Sequence, residues 1–213
     1  MPASAKLAGV LAAIDTANAD DPRRVTVDGR DYAFEELYAE RMSARLAAVY
    51  PEASELLQIA ARAQHLRRWE IARGDYPEGR HGYNDWRKTC RIHHAALTRE
   101  IMLREGYTEA DADHVGVLLR KEQLKKDKES QALENIAAIV FIEHYFDEFL
   151  AKYAGYDDDK LIDILGKTLC KMSPRGHAAA LALNLPRRSL DLIERAIDKE
   201  AKALERLAQV AVD

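Results

Sequence analysis

Apolar residues recur at intervals of three and four positions along most of the chain, which is the spacing of one face of an α-helix. The most apolar stretch runs from about Gln131 to Lys152, with one stripe formed by Ile136, Ile139, Val140, Glu143, Phe146 and Leu150. The segment Arg24–Tyr32 alternates apolar and polar residues around Asp28-Gly29, but it is too short to found a sheet and is interpreted as a turn. The spacing therefore predicts an all-α helical bundle of about seven to nine helices.

Length and composition bound the organisation of the chain and its partners. The 213 residues, 47% of them hydrophobic, suffice for one sizeable core, so residues 1–213 are predicted to form a single domain. The net charge of −4 provides no overall positive field for a phosphate backbone, and we expect no sequence-independent nucleic-acid binding. With only Cys90 and Cys170 and no apolar run of roughly eighteen residues, we expect a cytoplasmic protein with free thiols and no membrane association.

The densest mixture of His, Arg and Trp lies in Leu56–His94. The pattern predicts a helix over Glu55–Trp69, with one stripe formed by Gln58, Arg62, His65 and Trp69. After an irregular loop the pattern resumes at Tyr83, and His94 falls inside the apolar stripe of that helix. Unpaired buried donors cost about 1–3 kcal/mol each. His65 is therefore interpreted either as a satisfied core histidine or as part of a site.

Glu143 occupies an apolar slot of the predicted helix that covers Gln131–Lys152. Burying an unpaired carboxylate costs several kcal/mol, so this side chain is expected to be protonated, paired with a cation or bound to a metal. If it is paired, the expected partner is Arg62 or Arg68.

The pentapeptide Lys171–Arg175, KMSPR, looks like the start of the KMSKS loop that binds ATP in class I aminoacyl-tRNA synthetases. However, Ser173 followed by Pro174 is a standard pair for the N-cap and first position of a helix, predicted here over Arg175–Leu183. The sequence also has no glycine-rich βαβ pattern. We therefore expect this segment to begin a helix rather than bind ATP, in a protein that is not an aminoacyl-tRNA synthetase.

Four stretches together resemble the family DUF4202 over about residues 10–200: AARAQHLRRW (60–69), YPEGRHGYNDWR (76–87), LENIAAIVFIEHYFDEF (133–149) and KMSPRG (171–176). This resemblance by itself implies no particular activity.

The order of helices more weakly resembles that of the HD-domain metal phosphohydrolases. In this resemblance His65 matches the His of the His-Asp pair, His94 the following His, and Glu143 the late Asp. Leu66 stands where the Asp of the pair would be, and Tyr38 stands where the first metal-binding His would fall. The usual metal site of these hydrolases is therefore incomplete, and the ligand set that remains is His65, His94 and Glu143, two imidazoles and one carboxylate that suit a single divalent cation, Zn²⁺, Mn²⁺ or Fe²⁺.

Two functions follow as hypotheses. In the first, a metal-bound water hydrolyses a small phosphorylated compound or nucleotide; the phosphate is held by Arg62, Arg68 and Lys121, in a pocket lined by Tyr38, Trp69 and Trp86. In the second, the chain is a non-catalytic binding or regulatory module in which the same groups form a buried polar network. Both hypotheses predict that His65, His94 and Glu143 converge.

Overall fold

The computed structural model describes residues 4–212, which form ten α-helices, two short 3₁₀ helices and one two-stranded sheet. The all-α prediction is confirmed, with slightly more helices than expected. The chain divides into two compact units that meet in sequence between Gln123 and Leu124, and a single domain stays a prediction. Across residues 4–212 no helix combines the length and apolar character needed to cross a bilayer.

The first unit contains five α-helices and a hairpin: α1 Ala5–Ala19, β1 Arg24–Val27, β2 Arg30–Ala33, α2 Phe34–Val49, α3 Glu55–Arg62, α4 Gly79–Arg104 and α5 Glu109–Arg120. The interpretation of residues 24–32 as a mere turn was wrong, because β1 and β2 pair in antiparallel register. Asp28 and Gly29 connect them with φ of 51° and 77°, the positive values that a tight two-residue hairpin turn requires.

The predicted helix over Glu55–Trp69 stops early, since α3 ends at Arg62 and residues 63–67 form turns. The buried amide of Asn18 accepts a hydrogen bond of 3.0 Å from the backbone N–H of Arg67, a residue whose φ is 50°. A left-handed conformation at a residue other than glycine costs of order 1–3 kcal/mol and persists only where surrounding contacts impose it. The turn thereby places His65 outside any helix.

The helix that carries His94 also begins earlier than predicted, at Gly79 rather than Tyr83. A Cβ atom at Gly82 would lie only 2.0 Å from the carbonyl oxygen of Pro77. Glycine is therefore required where the preceding loop folds back against the first turns of α4.

The second unit contains α6 Lys128–His144, α7 Phe146–Lys152, α8 Asp158–Leu169, α9 Pro174–Leu181 and α10 Arg187–Ala208. The single helix predicted over Gln131–Lys152 is two, because Tyr145 leaves the helical region with φ of −128° and ψ of −7°. The charged run 120–129 is a connection for most of its length, as its composition predicted.

Ser173 and Pro174 begin α9 as predicted, but the physical reason differs, since the Ser173 side chain makes no capping bond. Its hydroxyl instead accepts from Nδ2 of Asn135 at 2.7 Å, and its backbone N–H donates to Oδ1 of Asn135 at 3.0 Å. Nε2 of Gln131 donates to the carbonyl oxygen of Lys171 at 2.8 Å. The loop is therefore tied to α6 through its own polar groups.

Candidate functional site

His65 is held by a carboxylate that the sequence analysis did not single out. Its Nδ1 atom lies 3.0 Å from Oε2 of Glu35, on the first turn of α2, where the Glu35 side chain is 1% exposed. Nη2 of Arg23 donates to the other oxygen of Glu35 at 2.8 Å. The buried carboxylate therefore has a cation on one side and an imidazole on the other.

Asp21 fixes this arrangement from the start of the hairpin. Its Oδ1 accepts from the backbone N–H and from Nε of Arg23, both at 3.0 Å, and its Oδ2 accepts from the backbone N–H of Glu35 at 3.2 Å. Burial alone would raise the pKa of Asp21, but the bonds from Arg23 outweigh it and hold that pKa below its ordinary value. Burial raises the pKa of Glu35, against the opposing effects of Arg23 and Arg68.

His94 is almost fully buried, with 2% of its surface exposed. Its Nδ1 atom lies 2.8 Å from the carbonyl oxygen of Leu66. Because a carbonyl oxygen can only accept, Nδ1 carries the hydrogen and Nε2 carries the lone pair. Nε2 is buried and has no hydrogen-bond partner within residues 4–212, which is unusual, since most buried polar atoms are paired.

The two imidazoles lie side by side. The ring centroids of His65 and His94 are 6.1 Å apart, and the His65 ring stacks on Tyr38 at 3.8 Å and 9°. Burial lowers the pKa of both rings well below the ordinary value of 6.5. The pKa of His65 is lowered further by the positive charges of four side chains: Arg68, Lys121, Arg87 and Arg23.

Arg68 lies beside His65 because its backbone N–H donates to the His65 carbonyl oxygen at 3.1 Å. Its guanidinium lies over the ring of Trp86, 4.5 Å from the centroid. Trp86 in turn donates its Nε1–H to the carbonyl oxygen of Ile71 at 2.8 Å. The side chain of Arg68 is thus positioned by an aromatic face rather than by a carboxylate.

Arg87 is positioned in the same way, 5.7 Å from the ring centroid of Tyr83. Tyr83 is itself tilted against Trp86 at 5.8 Å. Within the described residues neither Arg68 nor Arg87 forms an ion pair with a carboxylate. Two half-buried guanidinium groups near the histidines therefore have no carboxylate within ion-pair distance, although the charge of Arg68 still acts on the Glu35 carboxylate.

The other sequence-predicted residues have separate placements. Lys121 ends α5 in a left-handed conformation with φ of 59°. Arg62 forms an ion pair of 2.6 Å with Asp15 of α1, and the Trp69 ring lies 5.4 Å from the guanidinium of Arg67. The first unit thus brings together six of the nine predicted site residues, namely Tyr38, His65, Arg68, Trp86, His94 and Lys121.

Glu143 belongs to the second unit, on α6. Its side chain is 19% exposed, and Oε2 lies 3.2 Å from Nε2 of His144. The carboxylate is therefore partly solvated rather than sealed in a core, and its convergence with His65 and His94 stays a prediction.

The fit of the site to a metal ion rests on its donors. Nε2 of His65 and Nε2 of His94 each have a lone pair with no hydrogen-bond partner in the described residues, but Nε2 of His94 is buried, and Glu35 is engaged by His65 and Arg23. Throughout residues 4–212 no three side chains of His, Cys, Asp or Glu are grouped so as to hold a metal ion, and a catalytic zinc site usually has three protein ligands. The neighbouring arginines also repel a bare cation. The first unit by itself is thus better matched to an anion.

Sequence reasoning missed Glu35, Asp21, Arg23 and Arg87. The signal for the first three was the alternating pattern around Asp28-Gly29, because a hairpin there returns the chain and brings Asp21 to Glu35. Arg87 had a weaker signal, its helical spacing of four residues from Tyr83.

The comparisons with known proteins give a family and no activity. A family model described as "Domain of unknown function (DUF4202)" matches residues 8–193. No curated protein and no solved structure matches the chain.

Proposed function

The chain belongs to the DUF4202 family, and because that description assigns no function we propose one from the site: hydrolysis of a small phosphorylated compound beside His65 and His94. The observation that carries the proposal is the pair Arg68 and Arg87, which are held by aromatic rings and lack carboxylate partners in the described chain.

Phosphate is the anion that such a pair suits best. A guanidinium presents its donors in a fixed fork that matches phosphate oxygens two at a time. Contact of each guanidinium with an aromatic ring, Trp86 for Arg68 and Tyr83 for Arg87, restrains the side chain before a ligand binds and so lowers the entropy lost on binding. Lys121 adds a third charge that acts on His65.

The divalent metal that the resemblance to HD-domain phosphohydrolases implies stays a prediction, and the proposed hydrolysis does not depend on it, because the described residues bring no three ligands together. Nε2 of His65 and Nε2 of His94 would be its nitrogen ligands, and Glu143 would be the carboxylate ligand. A bound metal would supply a water of lowered pKa as the nucleophile.

The second candidate is a binding module without catalysis. It is favoured by the internal partners of many polar groups of the site, since Nδ1 of each histidine and both oxygens of Glu35 are engaged. Such a network is typical of a structural cluster.

The test measures release of phosphate from a panel of small phosphate esters, with and without added Zn²⁺, Mn²⁺ or Fe²⁺, alongside elemental analysis of the purified protein. Arg68→Gln and Arg87→Gln each remove a charge-assisted bond of about 1.5–3 kcal/mol, so we expect a loss of roughly 10–100-fold in kcat/KM. Arg80→Gln is the matched control, because Arg80 is exposed on the same helix as Arg87, and we expect it to be unchanged.

The outcomes separate the two candidates. Binding of inorganic phosphate that depends on Arg68 and Arg87, with no turnover of any ester, would favour the binding module. Absence of both binding and turnover would refute the site.

A further inference from the structure

We propose that Nε2 of His65 is the atom that accepts the phosphoryl group, forming a covalent phosphohistidine before water releases phosphate. This inference rests on the proposed phosphate chemistry and names Nε2 of His65, in place of a metal-bound water, as the nucleophile, because one lone pair cannot both ligate a metal and attack phosphorus.

The hydrogen bond to Glu35 determines which nitrogen can react. Because a carboxylate accepts, Nδ1 of His65 carries the hydrogen and Nε2 carries the lone pair. Nε2 makes no hydrogen bond with the described residues. Stacking on Tyr38 fixes the ring plane, so the lone pair has one direction relative to the site.

Accessibility and hydrogen bonding distinguish His65 from three other histidines of the first unit, His81, His93 and His94. The His65 side chain is 21% exposed, whereas His94 is 2% exposed and its lone pair is sealed in the interior. Nε2 of His93 already lies 3.0 Å from Glu70. His81 is 95% exposed beside Asp85, without buried groups to orient it. His65 alone among these four combines a carboxylate on Nδ1 with an accessible Nε2.

The surrounding charges match both halves of a phosphohistidine. The imidazole becomes positive when Nε2 bonds to phosphorus, and Glu35 lies against the opposite nitrogen. The phosphoryl oxygens are negative, and Arg68 and Arg87 carry the neighbouring positive charges. Preorganised charges of this kind are the usual source of transition-state stabilisation in phosphoryl transfer.

The reaction balances with water as the only co-reactant. In the first step the Nε2 lone pair forms the N–P bond while the ester P–O bond breaks, and its electron pair leaves on the alcohol oxygen, which takes a proton from solvent. In the second step a water oxygen attacks phosphorus and the N–P electron pair returns to Nε2. A proton passes to solvent, and inorganic phosphate is the product. The side chain is regenerated, as nucleophilic catalysis requires.

The experiment mixes the full-length protein with p-nitrophenyl phosphate or acetyl phosphate, with and without a chelator, and quenches the reaction early. We expect a burst of p-nitrophenolate approaching one equivalent of protein. We also expect the intact mass to rise by one phosphoryl group, in an adduct that is labile in acid and stable in base. Peptide mapping of the wild-type adduct should place it on His65, a readout that does not depend on whether a variant folds.

Variants sharpen the assignment. His65→Asn should abolish the adduct, and Glu35→Gln should slow its formation roughly 10–100-fold, the loss of one charged hydrogen bond. His81→Asn is the control and should leave the burst intact. An adduct on another residue would overturn the inference. So would turnover without any acid-labile adduct, although the phosphohydrolase itself would stand. Neither turnover nor adduct would overturn both.

Discussion

The stretch around His65 and the stretch around Ser173 both look like functional motifs in the sequence. In the fold they differ in whether their polar groups find hydrogen-bond or ion-pair partners. Around Ser173, the hydroxyl, the backbone N–H and the preceding Lys171 carbonyl all find partners on α6. Around His65, the lone pair of His94 has no partner among the described residues, and Arg68 and Arg87 lack carboxylates there.

This difference separates structural polarity from polarity that is available to a ligand. A polar cluster whose members satisfy one another contributes to stability and specifies the packing of its neighbours. A cluster that keeps charges without ion-pair partners and an unpaired acceptor costs stability, which natural proteins tolerate mainly at functional sites. The comparison predicts that mutations will lower stability in the second unit and affect function in the first.

The largest expected effect is on stability, from Asn135→Ala. The change leaves the buried N–H of Ser173 without an acceptor, and unsatisfied buried groups cost about 1–3 kcal/mol each, so we expect a loss of about 2–3 kcal/mol in the free energy of unfolding. Urea denaturation measures it, with the exposed Lys167→Ala as control. A loss no greater than that of the control would mean that the network around Ser173 does not stabilise the fold.

The next largest effect is expected in the pH dependence of stability, and it comes from His94. Burial lowers the pKa of His94 in the folded state below 6.5, so the unfolded chain binds its proton first and stability falls as the pH drops below that value. Each such group changes stability by up to about 1.4 kcal/mol per pH unit. His94→Leu removes this dependence, and the difference between wild type and variant cancels the contributions of other groups.

At neutral pH we expect His94→Leu to cost about 1–2 kcal/mol, because it removes an unsatisfied acceptor but leaves the buried carbonyl oxygen of Leu66 without its donor. Urea denaturation from pH 7 down to pH 5 should then show the variant gaining on the wild type as the pH falls. Parallel curves would mean that the fold does not shift the pKa of His94.

Ser173→Ala should lower stability by about 1 kcal/mol, because it removes the hydroxyl that accepts from Asn135 rather than a helix cap. The effect should therefore disappear in an Asn135→Ala background, as measured by a double-mutant cycle. Ser54→Ala is the contrasting variant, since the Ser54 side chain does cap α3 and its loss should be independent of Asn135. An additive cycle for Ser173 would point to capping after all.

The smallest effect on stability is expected from Lys121→Gly. Glycine adopts the left-handed conformation of this position without strain, so the free energy of unfolding should rise or stay within about 1 kcal/mol. Phosphate release should nevertheless fall, since the charge that acts on His65 is lost. Lys125→Gly is the matched control, because Lys125 also has a positive φ of 68° and lies in the other unit. Equal activity in the two variants would remove Lys121 from the site.

Much of the fold followed from spacing alone. Apolar stripes indicated most of the α-helices in the described chain, and periodicity therefore predicted an all-α fold. It failed where a helix stops without a proline or glycine to mark the end, at Arg62 and at Tyr145. At the first, the buried amide of Asn18, far away in sequence, captures the N–H of Arg67 and imposes a turn.

The candidate site was likewise predictable from the sequence only in part. His65, His94 and Arg68 stand out in the sequence because they lie beside apolar stripes. Polar groups that are buried there need hydrogen-bond or ion-pair partners, and the local pattern is enough to show this. Which partners they obtain depends on groups about thirty positions away, Glu35 for His65 and the Leu66 carbonyl for His94. Spacing along one helix carries no information about contacts between elements, so only the tertiary structure decided which polar groups find partners among the described residues and which do not.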